Sequence, residues 1–289
     1  MLSAPTHQPD WRSAGFQVAR LRGLLTTNDP KFHREFQEVF FERPQEQDQV
    51  QLSYSVYVDR DFGLLKRHSI SRNGQFFFVT AFYPALLPAL ERDISITLFD
   101  SFPIYRFLRA GLVALGGVGI LILGNSGTGG GWLMKALADR GAVYFSDGIT
   151  ILDYPEADVI PYSKSISLLR PANPLLSQSA RTRNFRDPST PVTRYHTPSQ
   201  IPERQFKQAI DCILVPAREK SAVPRLDPLS KAETLHRLME STFNVRKWDG
   251  ETLSYLTSIV ESAECYSLVR GMSKATVDLI VARSADLKS

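Results

Sequence analysis

The chain has 289 residues, of which 43% are hydrophobic, 22% charged and 10% aromatic. That composition supports a buried core and about two domains, and it excludes disordered, collagen-like and low-complexity chains. Lys and Arg number 34 against 30 Asp and Glu, and the surplus of +4 is too thin for the concentrated basic stripe of a nucleic-acid binder.

The sequence opens without an apolar h-region, and Cys212 and Cys265 have neither CxxC spacing nor a ligand cluster beside them. Reduced thiols and a cytoplasmic location are therefore expected. His7, His33, His68, His196 and His236 form no i,i+4 pair, so no histidine metal site is expected.

In chain order, the first forty-odd residues read as irregular, with a short helix over 31–41. Val50, Leu52, Tyr54, Val56 and Val58 alternate with more polar residues and predict a half-buried strand. A second strand over 66–72 meets Asn73-Gly74, the strongest short hairpin signal, and 75–83 reads as the returning strand. A β-rich unit over 1–83 follows, with no residues that suggest an enzyme core.

The second domain is expected over 84–289. Residues 84–116 read as helical, because Ile104, Phe107, Leu108, Leu112 and Leu115 fall at helical spacing and Pro103 suits a first turn. The span from Ala110 to Met134 carries no formal charge over 25 residues, but nine of them are glycine, which argues against a membrane helix. Residues 117–123 predict a buried strand, and Trp132 onward a helix closed by Gly141. Strands over 142–145 and 149–152 are expected to pair as a hairpin, with another strand over 166–169. Residues 176–203 lack apolar periodicity and predict an exposed, mobile loop. Beyond it come helix or strand over 205–215, then a helix over 229–243 with the capping box Ser230-Lys231-Ala232-Glu233. A helix over 251–262, a strand over 265–269 and a helix over 274–283 complete the chain.

The chemistry-bearing signal is strand, loop, helix: Ile120-Leu121-Ile122-Leu123, then Gly124, Asn125, Ser126, Gly127, Thr128, Gly129, Gly130 and Gly131, then Trp132. Gly124 and Gly129 stand at the framing positions of a phosphate-binding loop, G-x-x-x-x-G-K-[S/T]. Such a loop turns backbone amides and a helix N-terminus toward phosphate oxygens. Here the lysine position holds Gly130 and the hydroxyl position Gly131. The lysine would neutralise phosphate and the hydroxyl would hold Mg²⁺. Doing without such a charge-assisted bond costs about 1.5–3 kcal/mol. Lys135 is no substitute, lying about 7.5 Å further along the helix and roughly 140° around it. Replacement charge is sought from Lys164 or from Arg181, Arg183 and Arg186.

Residues 119–155 with Pro161, Lys164, Ile166 and Leu168 resemble the HPr kinase/phosphorylase group and its kinase-related members, most strongly over 117–170. Ser126, Gly127 and Gly129 match the loop, Gly141-Ala142 the following turn and Ser146-Asp147 the acidic strand end; Glu264-Cys265-Tyr266-Ser267-Leu268 resembles a late strand. The resemblance spans about 84–285. It implies an α/β chain of mixed α+β type, with a bent mixed sheet of the phosphoenolpyruvate carboxykinase-like group, not a doubly wound parallel one. It implies Asp147 as metal-linked or general-base carboxylate, and ATP with Mg²⁺ as cofactor. The departures are Gly130, Gly131 and Gly148, which stands where the group has a second acid.

Two main readings follow, beside a third, an anion-binding enzyme of other chemistry built on the same glycine loop. One is a pseudo-kinase: a binding, accessory or regulatory protein with weak or absent ATP binding. The alternative is an ATP-dependent kinase acting on a hydroxyl of a peptide, protein or small metabolite, with Asp147 as base and a borrowed Lys or Arg as clamp. Neither reading calls for nucleic acid or membrane. The resemblance leaves room for a homo-oligomer.

Overall fold

The sequence pattern that predicts a hairpin at Asn73-Gly74 does produce one. Asn73 and Gly74 adopt φ of 49° and 82°, and Arg72 faces Gln75 across the two-residue turn. Positive φ at both central positions matches the right-handed twist of the flanking strands. The computed structural model describes residues 11–41, 49–59, 67–124, 130–154, 158–162, 164–169, 193–202, 207–221, 223–243, 250–271 and 273–288.

The chain divides into two compact units, one running to Leu98 and one formed by Phe99–Leu169 and Thr193–Ser289. The first begins with β1 (Arg12–Val18) and β2 (Leu21–Thr27), an antiparallel pair that turns at Ala19 with φ 53°. This replaces the irregular start expected from the sequence. Next come α1 (Pro30–Val39), β3 (Leu52–Tyr57), β4 (His68–Arg72) and β5 (Gln75–Thr80). Asp29 caps α1 by accepting from the backbone N–H of Lys31 at 2.7 Å and of Phe32 at 2.9 Å. The five strands form one sheet in chain order, with β2 and β3 parallel and the other neighbours antiparallel. Its core is aromatic: Phe16, Phe32, Phe36, Phe40 and Tyr54 are fully buried, and Phe16 meets Phe36 edge-on at 5.4 Å. The division between units falls within α2 (Leu86–Ser101).

The second unit contains β6 (Arg106–Leu108), β7 (Ala110–Leu115), β8 (Val118–Leu123), α3 (Gly130–Ala138), β9 (Val143–Ser146), β10 (Thr150–Leu152) and β11 (Val159–Ile160). It continues with β12 (Ile166–Leu169), β13 (Thr193–His196), β14 (Cys212–Lys220), β15 (Arg225–Pro228), α4 (Lys231–Glu240), α5 (Gly250–Ser262), β16 (Glu264–Arg270) and α6 (Ser273–Asp286). Six strands make the main sheet in the order β15-β16-β14-β8-β7-β9. β14 is parallel to both β16 and β8, and the outer pairings are antiparallel, so the sheet is mixed and the chain is of α+β type as expected.

Both faces of this sheet are buried. Leu121 and Leu123 of β8 join Leu112 and Ala114 of β7 in a core with Leu238 of α4 and Leu256 and Ile259 of α5. Ile120 and Ile122 join Val113 on the other face, against Leu133 and Leu137 of α3 and Ile280 of α6. Burial on both faces explains the continuous apolar runs of β7 and β8.

Three further expectations are corrected. Residues 106–108 and 110–115 are strands, because a segment buried on both faces carries apolar residues at every spacing, including the helical one. β9 and β10 do not pair: β9 joins β7, while β10 joins β6 and β11 in a small separate sheet. Thr193–His196 lies inside the stretch expected as a mobile loop, yet pairs as β13 with β12. Residues 176–192 and 203 of that stretch lie outside the described residues. Among the described residues, no helix is long and apolar enough to cross a membrane.

Candidate functional site

The glycine loop is framed by two elements the sequence dictates. β8 ends at Leu123, and Gly124 extends its pairing by donating N–H to the Arg109 carbonyl at 3.2 Å. α3 begins at Gly130 and buries Leu133, Met134, Leu137 and Ala138. It can lie close to β7 because Gly111 has no side chain: a Cβ there would come within 2.7 Å of the Met134 sulfur. The helix ends as a Schellman motif, with Gly141 (φ 87°) donating to Ala138 O at 3.0 Å and Ala142 to Leu137 O at 3.2 Å. A helix N-terminus carries N–H groups without intrahelical acceptors and the positive end of the helix dipole, and α3 begins with that end at Gly130. Asn125, Ser126, Gly127, Thr128 and Gly129 lie outside the described residues, as do Arg181, Arg183 and Arg186.

The other predicted residues converge on Ser167 of β12. Ile166 is fully buried and Leu168 nearly so, both in the α3-side core. The Ser167 N–H donates to Asp147 Oδ2 at 2.8 Å. Asp147 is presented by the turn after β9, where Gly148 takes φ 79°. That turn is anchored by buried hydroxyls: Ser146 Oγ lies 2.8 Å from Thr150 Oγ1, which donates to the Ala110 carbonyl at 3.1 Å. Lys164 is buried at 2% exposure, and its Nζ donates to Ser167 Oγ at 2.8 Å and to Ser165 O at 3.2 Å.

Gly131 meets the same residue. A Cβ built on Gly131 would stand 2.3 Å from the Ser167 carbonyl oxygen and 3.7 Å from Asp147 Oδ2. The space for a side chain at the loop's hydroxyl position is thus filled by strand backbone. Gly130 differs: a Cβ there would have no heavy atom of the described residues within 4 Å. Ser167 therefore links Gly131, Asp147 and Lys164, three positions spread over 34 residues of sequence. Nothing in the residue pattern marks Ser167 itself, since its place is set by the packing of β12 against α3.

A search against protein-family models finds no match, and a search of the curated proteins finds none. One solved structure that resembles the chain is the Hpr(Ser) kinase/phosphatase from Coxiella burnetii. It is 11% identical, the match covers 63% of this chain and 97% of that chain, and the TM-score is 0.26. A likeness at that score assigns neither fold nor function.

The remaining candidates are committed elsewhere. Lys135 Nζ bonds Asp139 Oδ2 at 2.5 Å, one turn further along, so its charge is not directed at the loop. His196 Nε2 lies 3.6 Å from Asp139 Oδ1. Trp132 is 49% exposed. Cys212 and Cys265 are buried free thiols, and burial pushes the Cys212 thiol up to about 12, which removes it as a thiolate nucleophile near neutral pH. Among the described residues, no group of three or more His, Cys, Asp and Glu could hold a metal ion.

Arg109 is a residue the sequence did not single out. Its carbonyl receives Gly124, its N–H donates to Ser241 O at 2.6 Å, and its guanidinium lies 4.9 Å from the Phe243 ring centroid. Only the register of β7 against β8 brings it to the loop.

Proposed function

We propose that this protein binds a phosphate-like oxyanion at the start of α3 without magnesium and without phosphoryl transfer, as a pseudo-kinase with a binding, accessory or regulatory role. The observation that carries this reading is the contact of Gly131 with the Ser167 carbonyl. A magnesium-holding hydroxyl at position 131 needs a Cβ, and a carbonyl oxygen 2.3 Å away leaves no room for one. The residues present do not fit a Mg²⁺–nucleotide site of the phosphate-loop type. What persists is a helix N-terminus after a glycine loop, which suits a bare anion.

The test is calorimetric titration of ATP and inorganic phosphate with and without Mg²⁺, followed by assay for ADP. Affinity is expected to be independent of Mg²⁺, with no ADP formed. Tight binding that requires Mg²⁺ and is lost in Asp147→Ala would overturn the reading.

One observation favours the alternative, an ATP-dependent kinase with Asp147 as base and Lys164 as clamp. Both side chains bond the same residue, Ser167, beside the start of α3. Transfer of labelled γ-phosphoryl to any hydroxyl acceptor would select it.

A further inference from the structure

The sheet of the first unit uses one face for its core, where Tyr54, Val56 and Ile70 are fully buried. Strand register sets a second group of residues on the opposite face. Thr26, Ser55, Ser71 and Phe76 form one row across β2 to β5, and Tyr57, Ser69 and Val79 form the next across β3 to β5. The register between β4 and β5 shifts at Phe77, so Phe76 and Val79 share this face although they stand three positions apart. Phe76 is 74% exposed, Val79 59% and Tyr57 42%. None of the seven carries a charge, in a chain where 22% of residues do. β5 also ends its sheet, and Gln75–Thr80 contains neither charge nor proline. The β15 edge of the second unit is built differently: it carries Arg225, paired with Asp227 at 2.9 Å, and Pro228. Charge and proline are the usual guards of a strand edge, and β5 has neither.

We propose that this face, with β5 at its centre, is the interface between two copies of this chain related by a two-fold axis. Such a contact sets a patch against its own image, which an uncharged surface permits and a singly charged one opposes. A partner selected by charge finds nothing here to read. The rows cover four strands at about 4.8 Å and about five residues at about 3.4 Å, on the order of 300 Å² per copy. A stable complex buries about 800 Å² per partner. The contact is therefore a weak dimer that forms as concentration rises. It is independent of the oxyanion reading, which concerns the second unit.

The experiment is analytical ultracentrifugation of the full chain from about 1 μM to about 1 mM. The 32.5 kDa species is expected to give way to a dimer over that range. Phe76→Lys and Val79→Lys should each raise the dissociation constant by at least about 10-fold. Val223→Lys, at a 72% exposed position of the second unit, should leave it unchanged. Hydrogen exchange over 75–80 supplies a readout in the unaltered chain and should slow as concentration rises. A single 32.5 kDa species throughout overturns the proposal. So does a dimer that both β5 variants keep or that Val223→Lys abolishes. Exchange over 75–80 that does not change with concentration overturns it too, and points to another part of the same chain as the cover of this face.

Discussion

Gly130 and Gly131 are adjacent in sequence and should respond to substitution with opposite signs. At Gly131 a Cβ would sit 2.3 Å from the Ser167 carbonyl oxygen, where ordinary contact begins near 3.4 Å. The neighbouring atom is backbone of a paired strand, so relief requires β12 and the first turn of α3 to separate by about an ångström. Overpacking of this kind costs about 1–3 kcal/mol. Separation would also lengthen the Ser167 N–H to Asp147 bond, which starts at 2.8 Å. Gly131→Ala should therefore lower stability by about 1–3 kcal/mol, and Gly131→Ser by at least as much. At Gly130 a Cβ meets nothing within 4 Å among the described residues, and φ is not in the left-handed region. Gly130→Ala should then stabilise by about 0.4–1 kcal/mol through the reduced freedom of the unfolded chain. Urea unfolding of the two alanine variants beside the parent measures both effects. A Gly131→Ala protein as stable as the parent would show that the Ser167 carbonyl does not fill that space, and the metal-free reading would lose its footing.

Other outcomes are expected. Asp147→Ala leaves the Ser167 N–H without its carboxylate and should cost about 1–3 kcal/mol, whereas Asp147→Asn keeps an acceptor and should cost less; equal losses in urea melts would refute a hydrogen-bonding role. Lys164→Met removes an ammonium bonded to Ser167 Oγ and Ser165 O, and should weaken phosphate binding if Lys164 supplies charge to the site; unchanged phosphate affinity would exclude it as a clamp. Cys212 has a folded thiol pushed up from 9.0 to about 12 by burial, so the unfolded state ionises first. Its contribution to stability is intact below pH 9 and fades as pH rises from 9 toward 12, and a thiol reagent at pH 8 should label neither cysteine until the chain unfolds. Rapid labelling of the native protein would contradict that burial.

The sequence exposes those elements whose local chemistry and packing agree. The hairpin at Asn73-Gly74, the helix capped by Asp29, the Ser230 cap of α4 and the Gly141 stop of α3 each rest on one or two residues with a distinct backbone preference. β1 and β2 escape notice because their turn is Ala19-Arg20, without glycine or asparagine, and because Ala14 and Gly23 thin out the inward row. Gly23 is inward for a reason visible only in three dimensions: a Cβ there would strike the Phe16 ring at 2.2 Å. β7 mimics a helix because both of its faces are apolar. The candidate site is half legible in the same way. The loop frame and Asp147 follow from motif order, but Ser167 and Arg109 enter through strand packing and register, which no local pattern records.

The contact between Gly131 and β12 fixes the order in which this site can be altered. A serine at 131 adds only a hydroxymethyl group, yet it meets a carbonyl oxygen rather than open space. Any path toward a hydroxyl there must first withdraw the strand, through changes at Ile166 or Leu168 that loosen its seat against α3. The first atom of a side chain at 130 faces no such gate among the described residues. The two neighbouring glycines therefore differ at the first step: a Cβ at 130 meets no described atom within 4 Å, while one at 131 must displace the backbone of β12.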